Sequence, residues 1–588
     1  MTTSQPQSLF QALLRYKWRY AAGVAALFFT NLFLQVTPRM IGQFFDELNG
    51  HTLTTAGIYR YAGIILGAVA VVAVCRYFWR IFVFGTARYV EQDIREALFS
   101  HLEEMPASFY HTHKTGDLMA MATNDLQAVR GVAGEGVLMV FDATMMVLLT
   151  LSAMVYAIGW QLSLLALMPL PILAVACVYF GKFVFLRSRA VQDTFGKLSD
   201  VTQENISGMR VVKAFCQEAA EERKFDDVNQ AYVARFMAMM RVQGLIEPTI
   251  QLLAGLCFVL ALVYPARALL RGEIALSGFV SLTLYIGMLI WPMIAMGWVV
   301  NILQRGFAAF DRIQSVLLVT PDVATSAHPV VPAEARIQGQ IEFRNLTFTY
   351  ADKRRPALRE IDVTVKPGQT LGIIGRTGSG KSTLVSLLAR VFNPPRGTIF
   401  VDGVDVLDLP LPLLRESIAF VPQESFLFSR TVGENIGFAP GDWTREQISQ
   451  AAATAQVEQD ILEFLPEGYD TMVGERGVTL SGGQRQRVGL SRAVLKQAPI
   501  LVLDDCLSAV DTSTEQRILG GLRPVMKERT TVVISHRVAA VKAADVIIVL
   551  ENGSVVESGT HEQLLALEGR YFRTYQRQQL EEAIASVE

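Results

Sequence analysis

Six apolar segments in the first three hundred residues restrict the possible folds of this 588-residue chain more than any other feature. A helix needs about 20 residues to cross a hydrocarbon core of roughly 30 Å. Segments at least that long and poor in charge predict six membrane spans, at residues 20–46, 58–84, 132–158, 161–184, 244–266 and 277–303. The rest of the chain is typical of a soluble α/β domain. We therefore expect an all-α, six-helix membrane domain followed by an α/β domain.

Two long connections between the spans, residues 85–131 and 185–243, are charged but keep a helical period. No run of turn-forming residues divides them, so we expect helices that continue well beyond the bilayer. The N-terminal stretch LFQALLRYKWRY is basic and amphipathic, as in a helix lying on a membrane surface. The positive-inside rule places both termini and both long connections in the cytoplasm, although Arg267 and Arg271 lie in the third outer loop.

The stretch TPDVATSAHPVVPAEA, rich in proline and alanine, indicates a linker between the two parts. The predicted domains are residues 1–19 for the surface helix, 20–311 for the membrane domain, 312–340 for the linker and 341–588 for the soluble domain. A formal net charge of −2 does not favour nucleic acid as a partner. The five cysteines have no paired spacing, so neither a disulfide framework nor a zinc site is indicated.

A phosphate-binding loop is predicted in the run TLGIIGRTGSGKSTLVSLL, where a strand, a Gly-rich loop and a helix start follow one another. It matches G-x-x-x-x-G-K-S from Gly375 to Ser382. In such loops backbone N–H groups surround phosphate oxygens, lysine brings a charge to the outer phosphates and the serine hydroxyl ligates Mg²⁺. The predicted nucleotide-binding residues are Gly375, Arg376, Thr377, Gly378, Ser379, Gly380, Lys381, Ser382 and Thr383.

The run ILVLDD predicts a buried strand that ends in a carboxylate, Asp504. Ligand groups in α/β sheets lie at the carboxyl ends of the strands. Paired with a phosphate loop upstream, Asp504 is therefore a candidate ligand of Mg²⁺, together with Ser382.

The sequence VTLSGGQRQRVGLSRAV, with LSGGQ at Leu480–Gln484, resembles the signature motif of ABC ATPases. Other motifs follow that family's order. The resemblance implies that Tyr350 stacks on adenine, that Gln423 meets Mg²⁺ and couples to the membrane half, and that His536 senses the γ-phosphate. Further implied positions are the ATP-binding signature residues Ser481, Gly482, Gly483 and Gln484, the X-loop residues Glu475 and Arg476, and the D-loop from Ser508 to Asp511.

The membrane half agrees with this resemblance. The stretches Pro106–Arg130 and Gln203–Phe215 resemble the intracellular loops of ABC exporters, which carry the coupling helices. Nearly the whole chain therefore resembles a type IV ABC half-transporter, similar to bacterial multidrug-resistance-like subunits that form heterodimers. This implies ATP and Mg²⁺ as cofactors, a second half-transporter as partner and residence in the bacterial inner membrane.

One residue departs from the family pattern. ABC ATPases usually carry glutamate directly after the Mg²⁺-binding aspartate, where it polarises the attacking water, and this chain has Asp505. The shorter side chain draws the carboxylate back by over an ångström, and such a misplacement can cost on the order of 10²-fold in rate. Nucleotide binding need not suffer. The alternative is that the backbone adjusts and lets Asp505 act as the base.

Because LSGGQ is intact while the base position is atypical, we predict an asymmetric heterodimer. This chain's own site would hold ATP in a slow or inactive state, with Asp505, His536 and Gln423 around it. Its signature residues would complete the active site of a partner that carries glutamate after its own aspartate. A homodimer is the alternative.

The transported substrate is only weakly indicated. Asp142 and Glu247 lie nearest the membrane, either at its inner boundary as ordinary structural residues or in a cavity that attracts cations. Methionine and aromatic residues in the third and sixth spans would suit a pliable pocket, although ordinary packing also explains them. We expect export of hydrophobic or amphipathic molecules, in contact with membrane lipids. The alternatives are a lipid flippase, a peptide exporter, or a regulatory or gating subunit.

Overall fold

The computed structural model describes residues 8–325, 330, 335–474, 480–508 and 510–585. The chain forms two compact units. The first comprises the chain up to Glu103 together with Lys114–Val319, and the second comprises Glu104–His113 together with the chain from Thr320 onward. The short segment Glu104–His113 therefore belongs to the second unit, although it lies within the range 20–311 predicted for the membrane domain.

The first half of the chain is helical. Its helices are α1 Leu9–Leu14, α2 Lys17–Leu34, α3 Val36–Asn49, α4 Thr55–Glu104, α5 Ala107–Thr112, α6 Thr115–Ala120, α7 Leu126–Gly131, α8 Val137–Ile158, α9 Trp160–Leu167, α10 Leu170–Ser207, α11 Met209–Ala214, α12 Glu218–Gln243, α13 Ile246–Leu270 and α14 Leu276–Leu317. Two π-helical turns, Met121–Asp125 and Val132–Gly136, flank α7.

Among the described residues, six helical stretches are long and apolar enough to cross a membrane, which confirms the predicted number of spans. The first differs from the prediction because it divides at Gln35 into α2 and α3. Pro38, in the first turn of α3, has no N–H and its ring would clash with the carbonyl of Leu34 in a continuous helix. The predicted span over 20–46 is therefore present as one apolar stretch, Lys17–Asn49, whose helix is interrupted at Gln35.

The long connections are helical but not continuous. Helix α4 runs for 50 residues to Glu104 and ends just before Pro106. The second connection divides at Gly208 and again before Glu218. At the other end of the membrane half, α14 continues past residue 311 to Leu317 because Ile313 and Val316 are buried.

Polar pairs and an apolar core hold the first unit together. The core contains Met154, Leu173, Cys257 and Leu282. The Gln35 amide donates to the Thr150 hydroxyl at 3.0 Å, so a polar side chain at the break between α2 and α3 is tied to α8.

The second unit contains two sheets. Their strands are β1 Ile341–Phe348, β2 Leu358–Val365, β3 Thr370–Gly375, β4 Ile399–Val401, β5 Val404–Asp405, β6 Ile418–Val421, β7 Ile500–Asp504, β8 Thr530–Ile534, β9 Val546–Glu551 and β10 Ser554–Gly559. The order is β2-β1-β4-β5 in an antiparallel sheet and β10-β9-β3-β8-β7-β6 in a sheet whose strands are parallel except β10.

Helices surround these sheets: α15 Lys381–Leu388, α16 Leu411–Glu416, α17 Val432–Ile436, α18 Arg445–Thr454, α19 Glu458–Phe464, α20 Gly482–Leu495, α21 Thr512–Lys527, α22 Val538–Val541, α23 His561–Ala566 and α24 Arg570–Ala585. Because β3, β6, β7 and β8 run parallel, their carboxyl ends meet at one edge. That edge collects the phosphate loop after β3, Gln423 after β6, Asp504 at the end of β7 and His536 after β8. The predicted order of membrane domain and α/β domain is confirmed.

Candidate functional site

The phosphate loop joins β3 to α15 and depends on glycine at two close backbone contacts. A Cβ on Gly375 would lie 2.4 Å from the carbonyl oxygen of Leu550. Gly380 has a φ of +101°, in the left-handed region, and a Cβ there would lie 2.7 Å from the carbonyl oxygen of Ala357. Larger residues would push the loop away from the sheet. Arg376 and Thr377 lie exposed on its outer side.

Lys381 begins α15 and is held against the loop. Its ammonium group donates to the carbonyl oxygens of Gly375 at 2.9 Å and Arg376 at 3.0 Å. Burial lowers the pKa of Lys381, and the charges of Asp505 and Asp504 oppose that shift. A buried cation with only neutral acceptors is suited to an anionic ligand.

The hydroxyl of Ser379 is buried in the same loop. Among the described residues it has no hydrogen-bond partner. Leaving a buried polar group unsatisfied costs about 1–3 kcal/mol, so such groups usually have a ligand or water as partner. A phosphate oxygen would satisfy this hydroxyl, which makes Ser379 structural support for an anion in the loop.

The side chains of Ser382 and Asp504 meet across 122 positions of sequence. The Ser382 hydroxyl donates to Oδ1 of Asp504 at 3.0 Å. Asp504 is buried at the end of β7, and burial raises its pKa while the bond from Ser382 lowers it. A hydroxyl and a carboxylate oxygen are ligands that Mg²⁺ accepts, usually together with substrate phosphates. These residues therefore fit a magnesium ion.

The third predicted Mg²⁺ ligand, Gln423, is exposed just after β6. Its carbonyl oxygen accepts a bond from Nε2 of Gln486 at 3.4 Å. The amide of Gln423 is not among the groups that the structure joins to Ser382 and Asp504. Across the described residues no cluster of three His, Cys, Asp or Glu side chains suits a metal.

Asp505 lies beside His536, the residue predicted to sense the γ-phosphate. Its φ is +45°, which is uncommon for a residue other than glycine. Its N–H donates to the carbonyl of Ile534 on β8 at 3.0 Å. Oδ2 of Asp505 is 4.0 Å from Nε2 of His536, too far for a hydrogen bond. The Asp505 backbone is thus anchored to β8, and its short side chain stops before reaching the imidazole.

Tyr350 is tethered to the start of α15. Its hydroxyl donates to Oγ1 of Thr383 at 3.0 Å. Its ring meets those of Phe348 and Phe392 edge-on, with centroids 5.1 Å and 5.2 Å apart. The structure therefore brings Tyr350 together with the phosphate-loop helix, as a residue positioned over a nucleotide would require.

The signature residues form a different kind of site. Ser481 caps α20: its hydroxyl accepts from the N–H of Gln484, and its own N–H donates to Oε1 of Gln484 at 2.9 Å. Nε2 of Gln484 also donates to Asp460 at 3.2 Å. Gly482 and Gly483 form the first turn. These hydrogen bonds do not lead to the phosphate loop. Glu475 and Arg476, predicted as the X-loop, lie outside the described residues.

Gln486 links three of the motifs and was missed by sequence reasoning. Its Nε2 lies 3.4 Å from the carbonyl oxygen of Gln423 and 3.2 Å from the hydroxyl of Ser508. Further along the D-loop, Asp511 caps α21, accepting from the Ser513 hydroxyl and the Thr514 N–H, and these bonds lower its pKa. The available signal was the position of Gln486 two residues after LSGGQ, which does not reveal its partners.

The two acidic residues predicted to lie nearest the membrane, Asp142 and Glu247, each accept a hydrogen bond from another side chain. Oδ1 of Asp142, in α8, accepts from Nδ2 of Asn31 in α2 at 2.8 Å. Glu247 is exposed at the start of α13 and accepts from Gln251, one turn along the helix, at 3.0 Å. Both observations support the structural interpretation of these residues. Tyr285, an aromatic residue of the sixth predicted span, is buried and donates to the carbonyl oxygen of Gln35.

Comparison with known proteins also divides the chain into a membrane part and an ATPase part. Residues 20–293 match the family model described as the ABC transporter transmembrane region, and residues 358–508 match the one described as ABC transporter. The chain is 40% identical over 565 residues to the probable multidrug resistance ABC transporter ATP-binding/permease protein YheI of Bacillus subtilis, covering 96% of each protein. It is 38% identical over 571 residues to the multidrug resistance-like ATP-binding protein MdlA of Escherichia coli, covering 97% of this chain and 96% of that protein.

Two further comparisons extend this picture. The chain is 35% identical over 569 residues to the ATP-dependent lipid A-core flippase of Nitrosococcus oceani, covering 96% of this chain and 93% of the flippase. A solved structure of a bacterial Atm1-family ABC exporter with ATP bound superposes with a TM-score of 0.77 at 24% identity, covering 97% of this chain and 98% of that one. At that identity the structure shows a shared fold.

Proposed function

The chain belongs to the ABC transporter family and is an ATPase and translocase of that family, and on this premise we propose what it carries and how its own site behaves. We propose that it is an exporter subunit that moves hydrophobic or amphipathic molecules, drug-like or lipid-like, across the bacterial inner membrane by alternating access. The names of its relatives, multidrug-resistance proteins and a lipid A-core flippase, support this substrate class. Residues 20–311 would form the membrane domain and 341–588 the cytoplasmic ATPase domain.

The nucleotide in this proposal is ATP with Mg²⁺. Residues Gly375–Thr383 would hold its phosphates, with Lys381 and the unsatisfied hydroxyl of Ser379 as specific contacts. Ser382, Asp504 and Gln423 would hold the ion, and Tyr350 would stack on the base. Bound Mg²⁺ neutralises charge on the outer phosphates. The observation that carries this assignment is the meeting of Ser382 and Asp504 next to the phosphate loop.

We further propose that this site is the slow one of two. Asp505 takes the position of the catalytic base, and its N–H is bonded to Ile534 on a central strand. That bond opposes the backbone shift that would be needed to bring the shorter carboxylate forward. His536 would still contact the γ-phosphate, since its carbonyl is held by the amide of Gln578 at 2.7 Å.

The partner would be a second half-transporter of different sequence. Ser481, Gly483 and Gln484 would face the ATP bound by that partner, whose own sequence would carry glutamate after its Mg²⁺-binding aspartate. Capping of α20 by Ser481 leaves the N–H groups of Gly482 and Gly483 at a helix N-terminus, which is a favourable place for phosphate. Pairing with an identical chain remains the alternative assembly.

Hydrolysis by the purified chain tests the slow site. We expect ATP turnover far below that of the complete exporter, with Asp505→Ala changing it little. Full exporter rates from the single chain, abolished by Asp505→Ala, would show that Asp505 is a working base and that the asymmetric proposal is wrong.

Transport by inside-out membrane vesicles tests the exporter. Vesicles containing the chain and its partner should accumulate an amphipathic dye against its gradient when ATP is supplied, and vesicles with Lys381→Ala should not. Movement only down the gradient, with ATP bound but not hydrolysed, would instead identify a gating subunit.

A further inference from the structure

A cavity of about 580 Å³ lies within the first unit among α4, α7 and α14. Each of these helices contributes one arginine to its lining, and these are Arg88, Arg130 and Arg305. Apolar side chains, among them Phe84 and Ile302, line it as well. A cavity of this size, with a mixed apolar and charged wall, is large enough for part of an amphiphilic ligand.

The charge around the cavity is not balanced by the protein. Glu91, buried behind the cavity, is contacted by Arg95 at 2.5 Å and by Arg88 and Arg130 at 3.3 Å each. Arg305 contacts only a neutral group among its described hydrogen bonds, the carbonyl of Asn301 at 3.4 Å. The lining itself contains three arginines and one glutamate, the exposed Glu135, which leaves an excess of two positive charges.

The arginines lie where the apolar runs of three separate helices end. The predicted spans end at residue 84, begin at 132 and end at 303, so Arg88 lies four residues outside a span, and Arg130 and Arg305 lie two residues outside. At 1.5 Å per helical residue, each is within about 6 Å of a span end. Basic residues are common at span ends, but here three helices direct them into one cavity.

The helix that supplies Arg130 is irregular on both sides. The π-helical turns Met121–Asp125 and Val132–Gly136 flank α7 and contribute Asn124 and Glu135 to the lining. Such turns cost helical hydrogen-bond geometry and occur frequently at functional sites. Two of them around one cavity indicate that the helix is shaped for a ligand.

We propose that this cavity binds the headgroup of an anionic phospholipid. Arg88 and Arg305 donate to the headgroup phosphate, and the apolar wall at Phe84 and Ile302 meets the start of an acyl chain. The depth of the cavity, at the ends of the spans, matches the headgroup layer, where basic pockets between membrane helices select anionic lipids. The lipid is a resident ligand of the membrane half, so this proposal does not depend on which substrate is exported.

Lipid binding by the purified full chain tests this proposal. The protein, in neutral detergent, is titrated with phosphatidylglycerol and separately with phosphatidylcholine, and native mass spectrometry measures the bound lipid. We expect preferential retention of phosphatidylglycerol. Arg305→Gln should weaken that binding about tenfold, the size expected for a hydrogen bond to a charged group, and Arg88→Gln/Arg305→Gln should weaken it further.

Two controls test whether an effect on lipid binding is specific to the arginines of the cavity. Arg223→Ala removes an exposed arginine of α12 that does not line the cavity, and it should leave binding unchanged. Arg305→Gln spares the contacts of Glu91, so its thermal unfolding in phosphatidylcholine should equal that of the unmodified protein.

Three results would overturn the proposal. One is equal retention of the two lipids. Another is unchanged phosphatidylglycerol binding by Arg88→Gln/Arg305→Gln. The third is displacement of phosphatidylglycerol by inorganic phosphate at an equal concentration, which would identify a soluble phosphate as the ligand. The measurement records binding alone, so its failure leaves the exporter proposal untouched.

Discussion

In the second unit, the phosphate-loop side and the signature side differ in how their polar groups are satisfied. At the loop, Ser379 has a buried hydroxyl without a described partner, and Lys381 donates only to backbone carbonyls. At the signature, Ser481 and Gln484 cap each other and Gln484 also reaches Asp460. The phosphate loop therefore has polar groups that a ligand would satisfy, whereas the polar side chains of the signature satisfy one another at the start of α20.

The largest expected effect is on the loop side. Lys381→Ala should weaken ATP binding by about 10²-fold, because it removes a buried charge that is suited only to an anion. Titration of the purified chain with a fluorescent ATP analogue measures this. Lys366→Ala, which removes an exposed lysine just after β2, is the matched control. Unchanged binding by Lys381→Ala would contradict the assignment of the loop.

Asp505→Glu should make the slow ATP site on the phosphate-loop side active. In the complex with the partner, with the partner's own catalytic glutamate replaced by glutamine, restoring the missing methylene should raise ATP turnover by tenfold to about 10²-fold, because it reverses the loss expected from the misplaced carboxylate. Phosphate release measures the rate. Asp505→Asn keeps the size and removes the charge, so it should leave the slow rate unchanged. A strong loss with Asp505→Asn would show that aspartate already acts as the base.

Ser481→Ala separates the two roles of the signature. Loss of the helix cap should lower the free energy of unfolding of the ATPase unit by about 1 kcal/mol. Thr444→Ala removes the same kind of cap, shared with Gln447 on α18, and should cost a similar amount. In a complex with the partner, Ser481→Ala alone should also slow hydrolysis. Equal hydrolysis by the two variants would mean that Ser481 is only a cap.

The smallest expected effect concerns acid stability. Burial raises the pKa of Asp504 above its ordinary value of 3.8. Between the ordinary and the raised pKa the folded chain therefore binds more protons than the unfolded chain, and stability falls as pH rises through that window. Asp504→Asn should flatten this part of the curve of unfolding free energy against pH, measured by urea denaturation without nucleotide. A steeper curve would contradict the sign of the shift.

The membrane half shows how far local sequence reasoning extends. The six spans could be predicted because apolar length is a local property. The break at Gln35 was available in principle from Pro38, but within a membrane helix a proline is often tolerated as a kink. The partner of Asp142 could not be predicted, since Asn31 lies 111 positions away and meets it only when α2 packs beside α8.

In the ATPase half, too, some features could be predicted from the sequence and others could not. A contiguous motif was enough to locate the phosphate loop, and the order of motifs was enough to predict the candidate residues around it. The sequence could not predict that Gln486 contacts both Gln423 and Ser508, because these two residues follow different strands.

By itself, the sequence of this protein predicted which segments are able to cross a membrane and where a phosphate would be bound, and it shows that Asp505 is one methylene shorter than the usual glutamate. These are properties of composition and of residues adjacent in the chain. Only the tertiary structure decided that Asp505 is anchored to Ile534 and that Arg88, Arg130 and Arg305 enclose one cavity. Such contacts depend on which strands pair and which helices pack, and pairing is set by the burial of the whole chain rather than by any local stretch.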